Sequence, residues 1–274
     1  MIFFSNCKVN IGLHVTGKRP DGFHNLETIF YPLPVYDVLE LLPAATTHLH
    51  LYGLPIPGNK ENNIILKAYQ LLKKDFPALP AVQLHLLKNI PAGAGLGAGS
   101  ANGATALLAL NAFCGLELSQ KQLLKYALAL GSDCPFFIIN QPCYATGRGE
   151  ELTPVTLDLK NYTLVAVNPG IHISTPWAFS HLTPPFPVQS LKLIEQLPVD
   201  QWGKNITNDF ETIIFAEYPE IKVIKEQLLG KGAVFALMTG TGSTVYGLFE
   251  NIPQQLDFPE NYFVKTVPLQ PDLK

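Results

Sequence analysis

The sequence is poor in charge and in long apolar runs, and each scarcity excludes a class of protein. Only 15% of the 274 residues are charged and the formal net charge is −3, so nothing in the electrostatics favours nucleic acid or an anionic membrane as a partner. No uninterrupted apolar run approaches the roughly 18 residues of a membrane span. The first residues lack a basic stretch followed by an apolar one, so we expect no secretory signal.

Cysteine is also scarce. Cys7, Cys114, Cys134 and Cys143 show neither a CxxC pair nor the spacing of metal ligands. In a chain of this length they are typical of reduced thiols in a cytoplasmic protein. Apolar residues, by contrast, make up 47% of the chain, enough to bury a sizeable core in one or two domains.

Periodicity predicts a mixed α+β chain. Period-two alternation in CKVNIGLHV and THLHLYGL indicates half-buried strands, and NNIILKAYQLLKK has helical spacing. Ser119 with Gln122 is a capping-box signature that opens a helix, and we expect Gly131 to end that helix as a left-handed cap. Glycine, charge and proline cluster around GRGEELTP, where we place the boundary between two domains, 1–150 and 151–274.

The densest glycine run is IPAGAGLGAGSANGATALLALN, which follows a predicted strand and continues into a predicted helix. Free backbone N–H groups at a helix N-terminus bind anions, and the phosphate tail of a nucleotide is the obvious one. A flexible glycine hairpin with no ligand is the plain alternative. A P-loop is excluded, because Gly99 is followed by Ser100 and Ala101 with no lysine.

A dinucleotide-binding fingerprint also competes for this run. Gly93, Gly95 and Ala98 satisfy G-x-G-x-x-G/A, and Glu117 follows about twenty residues later. That interpretation needs a second strand ending at Glu117, but only GLEL separates the first helix from the cap at Ser119. A dehydrogenase is therefore a poor fit.

The stretch PAGAGLGAGS, residues 91–100, resembles the phosphate-binding loop of the GHMP kinases, the superfamily of galactose, homoserine, mevalonate and phosphomevalonate kinases. KVNIGLHVTGKRPDGFHNLETIF, ENNIILKAYQLL, GSDCPFF, ATGRGEEL, TNDFE and TGTGSTVYGLF resemble the branch that acts on diphosphocytidyl-methylerythritol. The resemblance covers the chain from about residue 8 to about residue 250. It implies ATP-dependent phosphorylation of the 2-hydroxyl of that alcohol, a step of the non-mevalonate route to isoprenoid precursors.

The resemblance also implies a fold and cofactors. The fold is α+β, with an N-terminal domain like ribosomal protein S5 that carries the ATP loop and a ferredoxin-like α/β C-terminal domain. ATP and Mg²⁺ are the expected cofactors, and a monomer or weak homodimer is the expected state. A second serine is common in the superfamily after the loop, but Ala101 stands there, so the Mg²⁺ ligands stay unassigned.

Two residues match the catalytic pair of the family. Asp133, in GSDCP, would be the general base for the hydroxyl, and Lys8, in KVN, would stabilise the alkoxide that forms. An ordinary turn aspartate and an exposed edge-strand lysine are the alternatives that the residues alone leave open.

The remaining matches concern binding. Phe23 stands where the family usually has tyrosine, an exchange that preserves stacking on cytosine and loses any phenolic hydrogen bond. The expected substrate residues are Asn10, Phe23, His24, Phe179, Gly240, Thr241 and Gly242. The expected ATP residues are Pro91, Gly93, Gly95, Leu96, Gly97, Ala98, Gly99, Ser100, Asn63 and Lys88. Core burial of the aromatics and a simple hairpin turn at the last three glycine-rich positions remain open.

Two further functions stay open at this point. Another GHMP kinase of a small alcohol, such as homoserine or a mevalonate derivative, would share the ATP loop without a cytosine pocket. A catalytically silent GHMP-fold protein would only bind its ligand. His48 and His50 have a spacing that metals can use, but no third ligand is in view, and we interpret them as the polar face of a strand.

Overall fold

The computed structural model describes residues 1–182, 190–253 and 255–269, and ten strands and eight α-helices lie in these ranges. The strands are β1 Ile2–Lys18, β2 His24–Pro43, β3 His48–Gly53, β4 Val82–Lys88, β5 Cys143–Thr146, β6 Glu151–Pro154, β7 Thr163–Asn168, β8 Phe235–Met238, β9 Val245–Phe249 and β10 Phe263–Pro268. The helices are α1 Ile64–Asp75, α2 Ala98–Phe113, α3 Gln120–Leu130, α4 Cys134–Ile139, α5 Thr175–Ser180, α6 Trp202–Asn205, α7 Glu211–Glu217 and α8 Pro219–Gly230. None of these helices is long and apolar enough to cross a membrane.

The chain forms two compact units, each built from separate stretches of sequence. The first unit comprises Met1–Cys7, Pro34–Gly93 and Gly97–Gln141. The second comprises Lys8–Leu33, Ala94–Leu96 and Pro142–Lys274. Strands β1 and β2 each contribute a segment to both units. Two continuous domains with a boundary at residue 150 were predicted from the sequence, and that boundary stays a prediction.

The first unit contains the strands β3, β4 and the end of β2, together with the helices α1 to α4. In it β4 pairs antiparallel with the end of β2 and parallel with β3. Alternate residues of these strands, among them Leu39, Leu41, Leu84 and Leu86, are fully buried, as expected for strands with one covered face. Helices α1 and α2 pack closely, since a Cβ on Gly103 would lie 2.8 Å from the Ile64 side chain.

The caps of α3 show one confirmed and one wrong prediction. The capping box between Ser119 and Gln122 is present. Gly131 ends the helix as expected, but its φ of 170° is extended backbone and not left-handed. The left-handed cap was therefore a wrong prediction. The chain runs directly into α4, and the N–H of Cys134 donates to the carbonyl of Gly131 at 3.2 Å.

The second unit contains an antiparallel sheet of order β10-β7-β9-β8. Strands β8 and β9 come from the apolar stretches on either side of the TGTGST loop, and both are wholly buried. The TNDFE segment pairs with β1, because Leu13 and Thr207 share a backbone hydrogen bond of 2.9 Å, as do Asp209 and Leu13. A core that includes Leu13, Phe210 and Met238 joins these elements.

Candidate active site

Gly95, in the middle of the glycine-rich loop, occupies a position that only glycine fits. Its φ is +78°, and a Cβ there would lie 2.2 Å from the carbonyl oxygen of Thr239. A side chain would thus collide with backbone as well as strain the φ angle. The close approach fixes residues 94–96 against the loop that joins β8 to β9.

The start of α2 offers the anion site that the sequence predicts. Gly97 is the N-cap, and in the described part of the chain no side chain caps the first turn of this 16-residue helix. The first backbone N–H groups of a helix have no partner inside it and carry the positive end of its dipole. These amides are therefore available to phosphate oxygens.

A cavity of about 250 Å³ lies in the first unit. Gly99 of the loop contributes to its wall, together with apolar residues such as Leu51 and Ile64. The polar lining is rich in side-chain amides and consists of Asn59, Lys60, Asn62, Asn63, Lys88 and Asn102. A mainly apolar wall with a few polar groups is typical of a small-molecule site. The predicted nucleotide residues Asn63 and Lys88 are thus brought together here.

Lys88 is held in a buried ion pair that the sequence reasoning missed. Its ammonium pairs with the carboxylate of Asp37, and both side chains are at most 2% exposed. Burial lowers the pKa of Lys88, and the charge and hydrogen bond of Asp37 oppose that shift. One signal was available: in VYDVLEL, Asp37 shares its side of the strand with Leu39 and Leu41, which are buried.

Lys8 and Asn10 form a hydrogen-bonded pair in the second unit. The Nζ of Lys8, a residue only 4% exposed, donates to Oδ1 of Asn10 at 2.5 Å and to the carbonyl of Gly95 at 3.3 Å. Asn10 in turn donates through Nδ2 to the hydroxyl of Thr28 at 2.8 Å. Lys8 is therefore a fixed, buried cation and not an exposed edge-strand lysine. The structure places Asn10, predicted to hold cytidine, beside it.

Thr239 connects this pair to the glycine loop, and the sequence reasoning did not single it out. Its hydroxyl accepts from the N–H of Asn10 at 2.9 Å. The hydroxyl hydrogen has two acceptors in reach, the carbonyl of Gly95 at 3.1 Å and Oδ1 of Asn10 at 3.2 Å. Its place beside the predicted Gly240–Gly242 turn was the signal that could have found it.

The glycine turn that follows Thr239 is anchored by two buried asparagines. Nδ2 of Asn208 donates to the carbonyls of Met238 and Gly240, each at 2.8 Å. Nδ2 of Asn168 donates to the hydroxyls of Ser243 and Thr244, each at 3.0 Å. The small hydroxylated neighbours of the turn thus take part in a network, which a simple hairpin would not need.

Three of the residues expected to bind the substrate, His24, Phe179 and Phe23, are aromatic and lie in the second unit. His24 stacks on Phe179, with ring centroids 4.9 Å apart and an interplanar angle of 24°. Phe23 is 54% exposed, and the guanidinium of Arg148 lies 4.7 Å from its ring centre. Burial, helped by the charge of Lys18, lowers the pKa of His24 below its ordinary 6.5. The role of Phe23 in binding cytosine stays a prediction.

Asp133 is the half-buried N-cap residue of α4 in the first unit. Burial raises the pKa of the neighbouring Cys134 thiol to about 12 despite a hydrogen bond from Ser100, so this thiol is protonated at neutral pH. Lys8 belongs to the second unit, and its pairing with Asp133 stays a prediction.

The described ranges contain no group of three or more His, Cys, Asp or Glu side chains that could hold a metal ion. His50 instead stacks on His85, with ring centroids 4.6 Å apart. Mg²⁺ bound with a nucleotide takes most of its ligands from phosphate and water and needs one or two from the protein. The hydroxyl of Ser100, in the first turn of α2, is an oxygen that could serve as such a ligand beside phosphates bound at the helix start.

Comparison with known proteins places this site in a family. The family model described as "GHMP kinases N terminal domain" matches residues 63–141, and "GHMP kinases C terminal" matches residues 190–256. A protein of Parabacteroides distasonis called 4-diphosphocytidyl-2-C-methyl-D-erythritol kinase is 48% identical over 250 residues, 91% of this chain and 92% of that protein. A Bacteroides fragilis protein of the same name is 47% identical over 97% of this chain and 99% of its own length.

The chain belongs to the 4-diphosphocytidyl-2-C-methyl-D-erythritol kinase family. It is an ATP-dependent kinase of the GHMP type, and the predicted α+β GHMP kinase fold is confirmed. A crystal structure of 4-(cytidine 5'-diphospho)-2C-methyl-D-erythritol kinase matches 90% of each chain, with a TM-score of 0.78 and 31% identity. A homoserine kinase from Cytophaga hutchinsonii matches with a TM-score of 0.63 at 16% identity, which shows the fold alone.

Proposed function

We propose that this kinase transfers the γ-phosphoryl group of ATP to the 2-hydroxyl of 4-diphosphocytidyl-2-C-methyl-D-erythritol, in the non-mevalonate route to isoprenoid precursors. Identity of 47–48% to kinases of that name over more than nine-tenths of the chain carries the proposal. The amide-lined cavity, the uncapped start of α2 and the buried Lys8 supply matching chemistry.

The nucleotide is proposed to bind to the first unit. Adenine occupies the cavity, and the amides that open α2 bind the phosphates. Oδ1 of Asn63 accepts a bond from the N–H of Ile65, so Nδ2 is the atom that this side chain offers to a ring nitrogen of adenine. Mg²⁺, held by the phosphates and the hydroxyl of Ser100, would neutralise phosphate charge.

Two side chains are proposed to accept the proton and to stabilise the charge that develops on the substrate. Asp133 accepts the proton of the 2-hydroxyl, and the ammonium of Lys8 stabilises the developing alkoxide. The hydrogen bonds of Lys8 to Asn10 and to the carbonyl of Gly95 hold the ammonium in place for that role. Phosphoryl transfer depends mainly on such positioning and charge stabilisation.

Cellular setting and assembly follow as proposals. Three of the four cysteines are buried and all four are free thiols, which suits a reducing cytoplasm. We expect a monomer or weak homodimer that binds neither nucleic acid nor membrane.

The deciding experiment measures ADP release from Mg-ATP with four alcohols: diphosphocytidyl-methylerythritol, methylerythritol phosphate, homoserine and mevalonate. Turnover confined to the first is the expected result. Turnover on homoserine or mevalonate alone would replace the proposed substrate with that of another GHMP kinase. Binding of ADP with no turnover on any alcohol would indicate a silent ligand-binding protein.

Asp133→Asn tests the proposed base. The substitution keeps the shape of the side chain and removes its ability to accept the proton, so we expect kcat to fall by about 10²–10⁴-fold while ADP affinity in calorimetry stays within error. An Asp133→Asn enzyme with normal kcat would contradict the assignment.

A further inference from the structure

Asp37 is a fully buried carboxylate on which four donors converge. Oδ1 accepts from the backbone N–H groups of Asn89 at 2.8 Å and Ile90 at 3.0 Å. Oδ2 accepts from Nδ2 of Asn102 at 2.9 Å and from the ammonium of Lys88. A buried carboxylate with so complete a set of partners is fixed in one orientation.

Two of the hydrogen-bond partners of Asp37 line the nucleotide cavity, whereas Asp37 itself lies behind the wall of the cavity. Lys88 and Asn102 both line the cavity, and Asp37 does not. Asn89 and Ile90 are the two residues that precede Pro91, where the glycine-rich loop begins. One carboxylate therefore links the end of β4, the start of the loop and the second turn of α2.

The ion pair also sets the charge that the cavity presents. The carboxylate of Asp37 compensates the ammonium of Lys88, so this part of the wall is close to neutral. The cavity's other lysine, Lys60, is exposed. A neutral wall suits a purine base, whereas an uncompensated ammonium would attract phosphate to the place of the base.

We infer that Asp37 is a positioning residue for ATP, which holds the base end of the cavity in shape and close to neutral through Lys88, Asn102 and the Asn89–Ile90 turn. The inference rests on the proposed function in taking ATP as the ligand of the cavity. It assigns Asp37 no contact with ATP, so its effect is expected in nucleotide affinity and not in the chemical step.

The test compares Asp37→Asn, Lys88→Met and the double variant with the wild type, by calorimetry with ADP and by steady-state kinetics. Asp37→Asn should raise Kd for ADP and KM for ATP about tenfold or more, with kcat at saturating ATP and KM for the alcohol within about threefold. Asp158→Asn is the matched control, since that carboxylate pairs with Lys160 on the surface at 2.8 Å. It should change none of these values.

The double variant separates positioning from loss of fold. Lys88→Met alone leaves a buried carboxylate without its counter-ion, and removing both charges relieves that penalty. We therefore expect the double variant to bind ADP more tightly than Lys88→Met. A folded Asp37→Asn with unchanged ADP affinity, or losses that add in the double variant, would overturn the inference, as would failure of both Asp37 variants to fold.

The test of Asp37 by ADP binding does not depend on which alcohol the enzyme phosphorylates. A wild type that binds ADP and does not phosphorylate diphosphocytidyl-methylerythritol ends the proposed function, and calorimetry with ADP still decides the role of Asp37. A wild type that does phosphorylate it, beside an Asp37→Asn variant with normal ADP affinity, ends only this inference.

Discussion

Replacing Thr239 by valine would remove one hydroxyl from the cluster that holds Lys8. The side chain is fully buried, and valine preserves its shape. Without the hydroxyl, the N–H of Asn10 loses the acceptor it has at 2.9 Å. An unsatisfied buried polar group costs about 1–3 kcal/mol. The carbonyl of Gly95 also loses the Thr239 hydroxyl as a donor, but it still accepts from the ammonium of Lys8 at 3.3 Å. We expect urea unfolding to show a loss of about 1–3 kcal/mol.

The same substitution should slow the reaction, because Asn10 accepts the hydrogen bond that orients Lys8. Small misplacements of a catalytic group cost up to about 10²-fold in rate, so we expect kcat to fall about 10–100-fold with little change in KM for ATP. Thr239→Ser is the control: it keeps the hydroxyl, loses one methyl group and should restore most of kcat. Normal kcat in Thr239→Val, or equally slow Ser and Val variants, would refute the reasoning.

Two further predictions concern Gly95 and His24. Gly95→Ala should unfold the loop and abolish ADP binding in calorimetry, because its Cβ would lie 2.2 Å from a backbone oxygen at a φ of +78°. The control Gly230→Ala, with no atom within 4 Å of the added Cβ, should bind ADP normally. Normal ADP binding by Gly95→Ala would contradict this packing. Burial lowers the pKa of His24, so its ring becomes charged only at a more acidic pH than an ordinary histidine. Steady-state kinetics should therefore show a KM for the alcohol that is flat near neutral pH and rises at acidic pH. The KM for ATP should not change in parallel, and His24→Gln should give a flat profile. A rise that persists in His24→Gln would assign the effect elsewhere.

Local signals in the sequence were sufficient for several elements of the fold. The alternation of AVQLHLLKNI marks β4, and the reciprocal bonds of Ser119 and Gln122 mark the start of α3, because both patterns depend on neighbours within a few residues. The conformation of Gly131 escaped the same reasoning. Its φ angle is decided by the immediate entry of the chain into α4, which the residues of α3 do not encode.

The candidate site was predictable only where a motif carries its own geometry. The glycine run predicted a helix start, and Gly97 is the N-cap residue of α2; phosphate binding there stays a prediction. Asp37 and Lys88 are separated by 51 residues, and Asn10 and Thr239 by 229. Contacts over such separations arise from tertiary packing, which periodicity does not encode. For Lys8 and Asp133 the resemblance to the GHMP kinases supplied roles that the residues alone could not.

The separate stretches of sequence that build each unit have a consequence for synthesis of the chain. All of the first unit has been made when Gln141 leaves the ribosome, whereas the second unit needs residues up to the C-terminal strand β10. The rest of the chain takes about 7–27 s to translate at about 5–20 residues per second. During that interval Lys8–Leu33, which contributes buried residues such as Val9, Ile11 and Ile29 to the second unit, is present without the strands and helices that later cover it. This segment of the nascent chain is thus open to chaperones and to misfolding long after it was made.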